Sequence, residues 1–243
     1  MTVVLLKLIL AHLIADFVFQ TPSMLERRKT TLWWLLPHIG AFVGLSLLLF
    51  LPNLTIRVII AITALASAHF FFDYIKTRFL GDKIGAFLVD QALHLLAIWF
   101  AALYLAGGWS PAVMDHLASL INAPKILIFL VSVVLTTATG GVLIGKITQP
   151  FLAKIRDSAT ENKPGIKFAG TYIGMLERLL ILLFILTNNL SAIGFVFAAK
   201  SLVRFPESRD AHHFTEYFLI GTTSSFAYAI IIGLATKYLI ALN

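Results

Sequence analysis

Runs of 16 to 25 mostly apolar residues recur along the whole chain, and no other feature restricts its fold as strongly. They occupy residues 3–20, 33–51, 56–76, 84–106, about 126–147, 173–188, 190–205 and about 217–241, divided by Pro, Gly, Asn or charged turns. A backbone in hydrocarbon must satisfy its N–H and C=O groups internally, which sequences of this pattern achieve as packed α-helices. The expectation is an all-α, polytopic transmembrane helical bundle of about eight spans. With 59% hydrophobic and 13% charged residues and a mean hydropathy of +0.90, the composition lies far from that of soluble domains.

The net charge of +7 comes from basic residues scattered through the turns, with no basic tract, so no nucleic-acid partner is expected. The absence of cysteine excludes disulfides, thiolate nucleophiles and Cys-ligated metals. The first run resembles a signal peptide in apolarity, but it is long, lacks a small-residue cleavage site and carries His12, Asp16 and Gln20 along one stripe. It reads as a retained helix. Pro22 and Glu26 to Lys29 form the next turn, and Trp33-Trp34 opens the second span as an aromatic belt would. Pro52-Asn53, Gly81-Asp82 and Asn188-Asn189 mark tight connections.

Three modules follow: a four-helix unit over 1–106, an extracytoplasmic connection over 107–124, and a four-helix unit over 125–243. Thr136-Thr137-Ala-Thr139-Gly140-Gly141 has the small-residue composition of close helix packing in lipid. Residues 148–172 read as a loop with a short surface helix near Phe151 to Ile155. With eight spans, fifteen of nineteen basic residues fall on one side, leaving Lys7, Arg57, Lys125 and Lys237 on the other. The positive-inside rule makes the basic side cytoplasmic and both termini extracytoplasmic.

Ionisable residues inside such spans are costly and mark functional sites by default. His12 and Asp16, His69 and Asp73, and Asp90 and His94 are pairs four residues apart, which puts each pair on one helix face a turn apart. Helix four runs opposite to one and three and carries its pair in reversed order. All three aspartates then share one level, with the histidines about 6 Å deeper, at 1.5 Å rise per residue. His38 falls near the aspartate level. Three carboxylates in a low-dielectric bundle repel unless they are protonated or neutralised by a cation.

Imidazoles and carboxylates suit a divalent transition metal, zinc first, with iron or manganese also accommodated. The expected ligands are His12, Asp16, His69, Asp73, Asp90 and His94. Asp73, Asp90, His38 and Lys76 are the candidate catalytic residues, with one aspartate as general base, His38 an outer ligand or proton carrier, and Lys76 a substrate-orienting cation. Lys76 is also placed to pair with Asp73 or to snorkel to a headgroup. Gln20, Gln91, Glu177, Arg178, Lys200 and Arg204 are weaker candidates for contacts to a lipid-like or anionic small-molecule substrate. His212-His213 read as a solvated loop.

Metal-dependent hydrolysis of a lipid-like or membrane-associated ester, amide or phosphoester fits this set. The same residues suit proton- or ion-coupled transport or lipid flipping, and a hydrogen-bonded structural network is the third reading. A homo-oligomer is compatible with each. No P-loop, dinucleotide fingerprint or nucleophile elbow is present. The pattern is similar to that of the zinc-bearing seven-helix ceramidase and adiponectin-receptor class and of bacterial membrane-bound metal-dependent hydrolases, without their full motifs.

His12-x-x-x-Asp16-Phe with Gln20, His69-x-x-x-Asp73-x-x-Lys76 and Asp90-Gln91-x-x-His94 resemble the motifs of the bacterial membrane-protein family catalogued as domain of unknown function 3307. The resemblance covers about residues 3–106. Gly174 to Arg178, Ala198 to Phe205 and Glu216 to Thr222 are similar to its longer members. It implies a multi-pass protein of the bacterial cytoplasmic (inner) membrane and carries no activity with it.

Overall fold

The structure, a computed structural model, describes residues 1–20, 23–24, 26–27, 31–107, 122–158, 169–204 and 212–243, with backbone alone at 32, 153–158, 203–204 and 212–215. Among these residues every regular element is helical. The first is α1 (Thr2–Ile14), which runs on into a single π turn, Ala15–Phe19. A 3-10 turn at Leu32–Trp34 leads into α2 (Leu35–Phe50). Next come α3 (Ile56–Ile75), with its own π turn at Lys76–Leu80, and α4 (Ile84–Ala106). A third π turn, Leu135–Thr139, joins α5 (Pro124–Val134) to α6 (Gly140–Ser158). The chain finishes with α7 (Ala169–Leu186), α8 (Ser191–Arg204) and α9 (His212–Leu242).

Local chemistry sets several of these boundaries. Thr55, extended, caps α3 by accepting from the Val58 amide. Gly81 closes the π turn after α3 at φ 72°, a left-handed conformation that glycine adopts without a Cβ penalty, and donates its N–H to the Lys76 carbonyl. Asn188, at φ 61°, makes the expected tight hairpin between α7 and α8, and its side chain receives Lys237.

Among the described residues, seven helical stretches are long and apolar enough to cross a membrane. α8 is not one of them: its 14 residues span about 21 Å, against a hydrocarbon core of about 30 Å. An even number of crossings, which both termini on one side require, therefore depends on α8. The loop expected over 148–172 begins later, because α6 continues through Pro150 to Ser158. Proline removes one bond from the helix ladder but holds a helical φ, and Thr148 two residues earlier bonds back to the Ile144 carbonyl at 2.9 Å. Most of the 107–124 connection, Arg28 and Lys29, and the side chains of His212 and His213 lie outside the described residues.

The chain divides into two compact units, Met1–Val134 and Leu135–Leu242. In the first, α1 packs on α2 and α4, α3 closes the ring between those two, and α5 lies along α1. Each ring helix buries one continuous stripe whose apolar part builds the core: Val4 and Leu8, Phe42 and Phe50, Val58 and Ile62, Ile98 and Ala102. The same stripes continue into His12 and Asp16, His38, His69 and Asp73, and Asp90 and His94, so the polar residues fill one end of the bundle and the hydrocarbon core the other. In the second unit, α7 and α9 pack together with α6 and its π turn around Ile181, Ile185, Phe226 and Ala229.

The small residues after the π turn make room for side chains. A Cβ on Gly140 would stand 2.8 Å from Tyr228 Cε1 and 2.9 Å from Arg178 Nε. Gly140→Ala is expected to destabilise the second unit by about 1–3 kcal/mol through overpacking, read as a lowered unfolding midpoint in detergent. An unchanged midpoint would mean that Arg178 and Tyr228 can yield.

Candidate metal centre

The polar end of the first unit gathers four histidines, three aspartates, Gln91 and Lys76. Asp16 and Lys76 retain 8% exposure and every other ionisable member 3% or less. Asp16 sits on the π turn that ends α1, and Lys76 opens the one that ends α3, so both lie where the ladder is loosened, a recurrent feature of functional sites.

Four donor atoms converge most closely. His38 Nε2 is 2.9 Å from His69 Nε2, 3.4 Å from Asp16 Oδ1 and 3.2 Å from Asp73 Oδ2. His69 Nε2 is 3.3 Å from Asp16 Oδ1 and 3.5 Å from Asp73 Oδ2. These separations are close to the roughly 3.3 Å that ligand atoms about 2.0 Å from a zinc ion keep, so the two histidines are spaced to share a cation with either aspartate. Two further His/Asp groups gather donor atoms within 4.8 Å of one another: His12, Asp16 and His69, and Asp73, Asp90 and His94.

Hydrogen bonds fix which nitrogens present lone pairs. Gln91 donates its amide N–H groups to Asp16 Oδ2 at 3.2 Å and Asp90 Oδ2 at 3.3 Å, because carboxylates can only accept. Its carbonyl oxygen therefore faces His12 Nε2, at 3.2 Å, and takes that proton. A neutral His12 then turns its Nδ1 lone pair toward Asp16 Oδ1, 3.3 Å away, and neither atom has an aligned hydrogen-bond partner among the described residues. Two facing lone pairs need a cation between or beside them. His94 donates Nδ1–H to the Asp90 carbonyl at 2.8 Å, the arrangement that orients metal-binding imidazoles, and leaves Nε2 as an acceptor. The rings pack edge-on or stacked, with Phe42 and Phe72 as apolar walls.

The charge inventory points the same way. Lys76 is ion-paired with Asp90 at 2.5 Å. With neutral imidazoles, Asp16 and Asp73 then leave two negative charges in a buried site, which one divalent ion or two imidazolium ions would balance. The donor set fits a divalent transition metal.

The structure brings together all six expected ligands and also His38, whose Nε2 lies 2.9–3.4 Å from donor atoms of His69, Asp16 and Asp73. Lys76 neither snorkels nor pairs with Asp73: the Asp73 carboxylate is already flanked by His38 and His69, while α4 presents Asp90 to the lysine. Gln91 is the hub of the network. Gln20 ends the π turn of α1, half-buried, and makes no hydrogen bond to the cluster among the described residues. Glu177, Arg178 and Lys200 belong to the second unit, where Lys200 pairs with Glu177, and the Arg204 side chain lies outside the described residues.

Sequence reasoning passed over Lys7. It is fully buried, donates to Asn122 Oδ1 at 2.8 Å and lies 5.3 Å from the centre of the Phe50 ring. The signal was available, since a lysine in the middle of an apolar span needs such a partner.

No curated protein and no solved structure matches the chain. Residues 4–123, which carry every member of the cluster, match the model of a family described as Protein of unknown function (DUF3307). In this chain of apolar helices, the segment over residues 4–123, which holds the buried His/Asp end, belongs to the DUF3307 family.

Proposed function

We propose that the polar end of the first unit is a transition-metal centre, zinc by preference, serving hydrolysis of a membrane-associated ester, amide or phosphoester at the bacterial inner membrane. The observation that carries the reading is the convergence of His38 Nε2 and His69 Nε2, 2.9 Å apart, on Asp16 Oδ1 and Asp73 Oδ2, each 3.2–3.5 Å from both nitrogens. A bound metal supplies Lewis acidity and lowers the pKa of water. The chain itself supplies the rest. Gln91 holds Asp16, Asp90 and His12 in register, Lys76 neutralises Asp90, and His94, its Nδ1–H tied to the backbone, accepts a proton at Nε2. The basic turns support a cytoplasmic position for this end.

Proton- or ion-coupled transport is the second reading. It is favoured by the cavity beside His12, His69 and His94, whose volume of about 10 Å³ admits nothing larger than a water or an ion.

Elemental mass spectrometry on detergent-purified protein tests the first reading, together with turnover of a panel of lipid-like esters, amides and phosphoesters before and after chelation. The expected result is about one zinc, iron or manganese per chain and turnover lost on chelation and regained on reloading. A chain that holds no metal even after reloading would overturn the metallohydrolase and direct attention to proton flux in liposomes.

A further inference from the structure

The second unit holds a pocket of about 530 Å³, the size of a small-molecule site, between α6, α7, α8 and α9. Arg178 forms part of its wall, and the residue is only 3% exposed. It is held by neutral acceptors: Nε donates to the Thr136 carbonyl at 2.6 Å, Nη2 to the Thr137 carbonyl at 3.0 Å and Nη1 to Ser225 Oγ at 3.1 Å. Both carbonyls belong to the π turn Leu135–Thr139, where the widened ladder frees oxygens for an outside donor. A guanidinium has five N–H groups, so two remain.

Among the described residues no carboxylate lies within ion-pair reach of Arg178. The adjacent Glu177 is taken by Lys200 at 2.5 Å. The pocket wall therefore carries the Glu177–Lys200 ion pair, whose charges cancel, and the Arg178 guanidinium, whose direct partners are all neutral, a costly arrangement that an anion would relieve. Apolar side chains dominate the remainder of the lining, and its rim is made by Phe195 and Ile173, 77% and 48% exposed. In a membrane-spanning helical unit such a rim faces hydrocarbon. A soluble anion has no use for it, whereas an acyl chain does.

We propose that this pocket binds an anionic amphiphile, with its phosphate or carboxylate head at Arg178, beside Thr222 and Ser225, and its hydrocarbon tail leaving past Phe195. The site is independent of the metal reading, since it uses no residue of the His/Asp cluster.

The test uses the whole chain, delipidated in detergent and titrated by native mass spectrometry with phosphatidylglycerol or phosphatidylcholine, with glycerol 3-phosphate as soluble competitor. One phosphatidylglycerol is expected to bind about tenfold more tightly than phosphatidylcholine, the scale of one charge-assisted hydrogen bond. Arg178→Gln should abolish that preference. Because Arg178 also ties the π turn, Ala199→Trp provides a second test: residue 199 is exposed on α8 and lines the pocket, so the indole fills the site without disturbing a core. It should remove the tight phosphatidylglycerol site while the unfolding midpoint stays native. Equal binding of the two lipids, native lipid binding by Ala199→Trp, or displacement of lipid by glycerol 3-phosphate would each overturn the proposal.

Discussion

His69→Ala protein, purified and folded, is expected to retain less than about a tenth of the transition metal held by the native chain, since loss of a direct ligand should cost at least what loss of an outer partner does. His69 Nε2 stands within 3.5 Å of His38, Asp16 and Asp73 donors. Its removal leaves at most three of the four convergent atoms. His38→Ala should have the same effect, because its Nε2 stands against the same two carboxylates. His94→Ala should keep the metal if that quartet is the ligand set, because His94 belongs to the neighbouring group with Asp73 and Asp90. Metal loss in His94→Ala as complete as in His69→Ala would move the centre to that group. Full retention in His38→Ala would return that residue to an outer role. Helical content by circular dichroism separates loss of ligand from loss of fold.

Lys76→Met is expected to destabilise the protein by about 3–5 kcal/mol, the cost of leaving one member of a buried ion pair without its partner. The Asp90 side chain is 1% exposed and that of Lys76 11%, so water cannot replace the lysine. Among the described residues, Asp90 Oδ2 receives besides Lys76 only one longer contact, from Gln91 Nε2 at 3.3 Å. The double variant Lys76→Met/Asp90→Asn removes both charges and should recover much of the loss. Chemical unfolding in detergent of the two single variants and the double variant gives the coupling directly. A loss below about 1 kcal/mol in Lys76→Met would put the pair in the class of solvent-screened surface ion pairs and contradict its burial.

The reversed order of Asp90 and His94 on α4 was legible because antiparallel neighbours must invert a motif to align it, and the structure brings the three pairs to one end of one bundle. The helical class was equally legible, since apolar runs of spanning length leave a backbone few other ways to satisfy itself. His38 was harder to place. It is a single histidine with no partner on its own helix, and only the approach of α2 to α1 and α3 turns it into an inner donor. Thr136 and Thr137 read as small residues suited to close packing, whereas the structure uses their backbone carbonyls to hold Arg178. No residue type announces a π turn, so the freed oxygens were invisible.

The sequence by itself determined that the chain is a bundle of apolar helices, which face of each helix is polar, and that His and Asp alternate at one turn's spacing. Those are properties of a single helix, set by its 3.6-residue period and by the cost of placing polar groups in hydrocarbon. The tertiary structure alone decided that Lys76 pairs with Asp90 and not with Asp73, that Gln91 joins Asp16, Asp90 and His12, and that Arg178 lacks a carboxylate among the described residues. These choices depend on which helices become neighbours and at what rotation. Packing of whole faces governs that, and no local period encodes it.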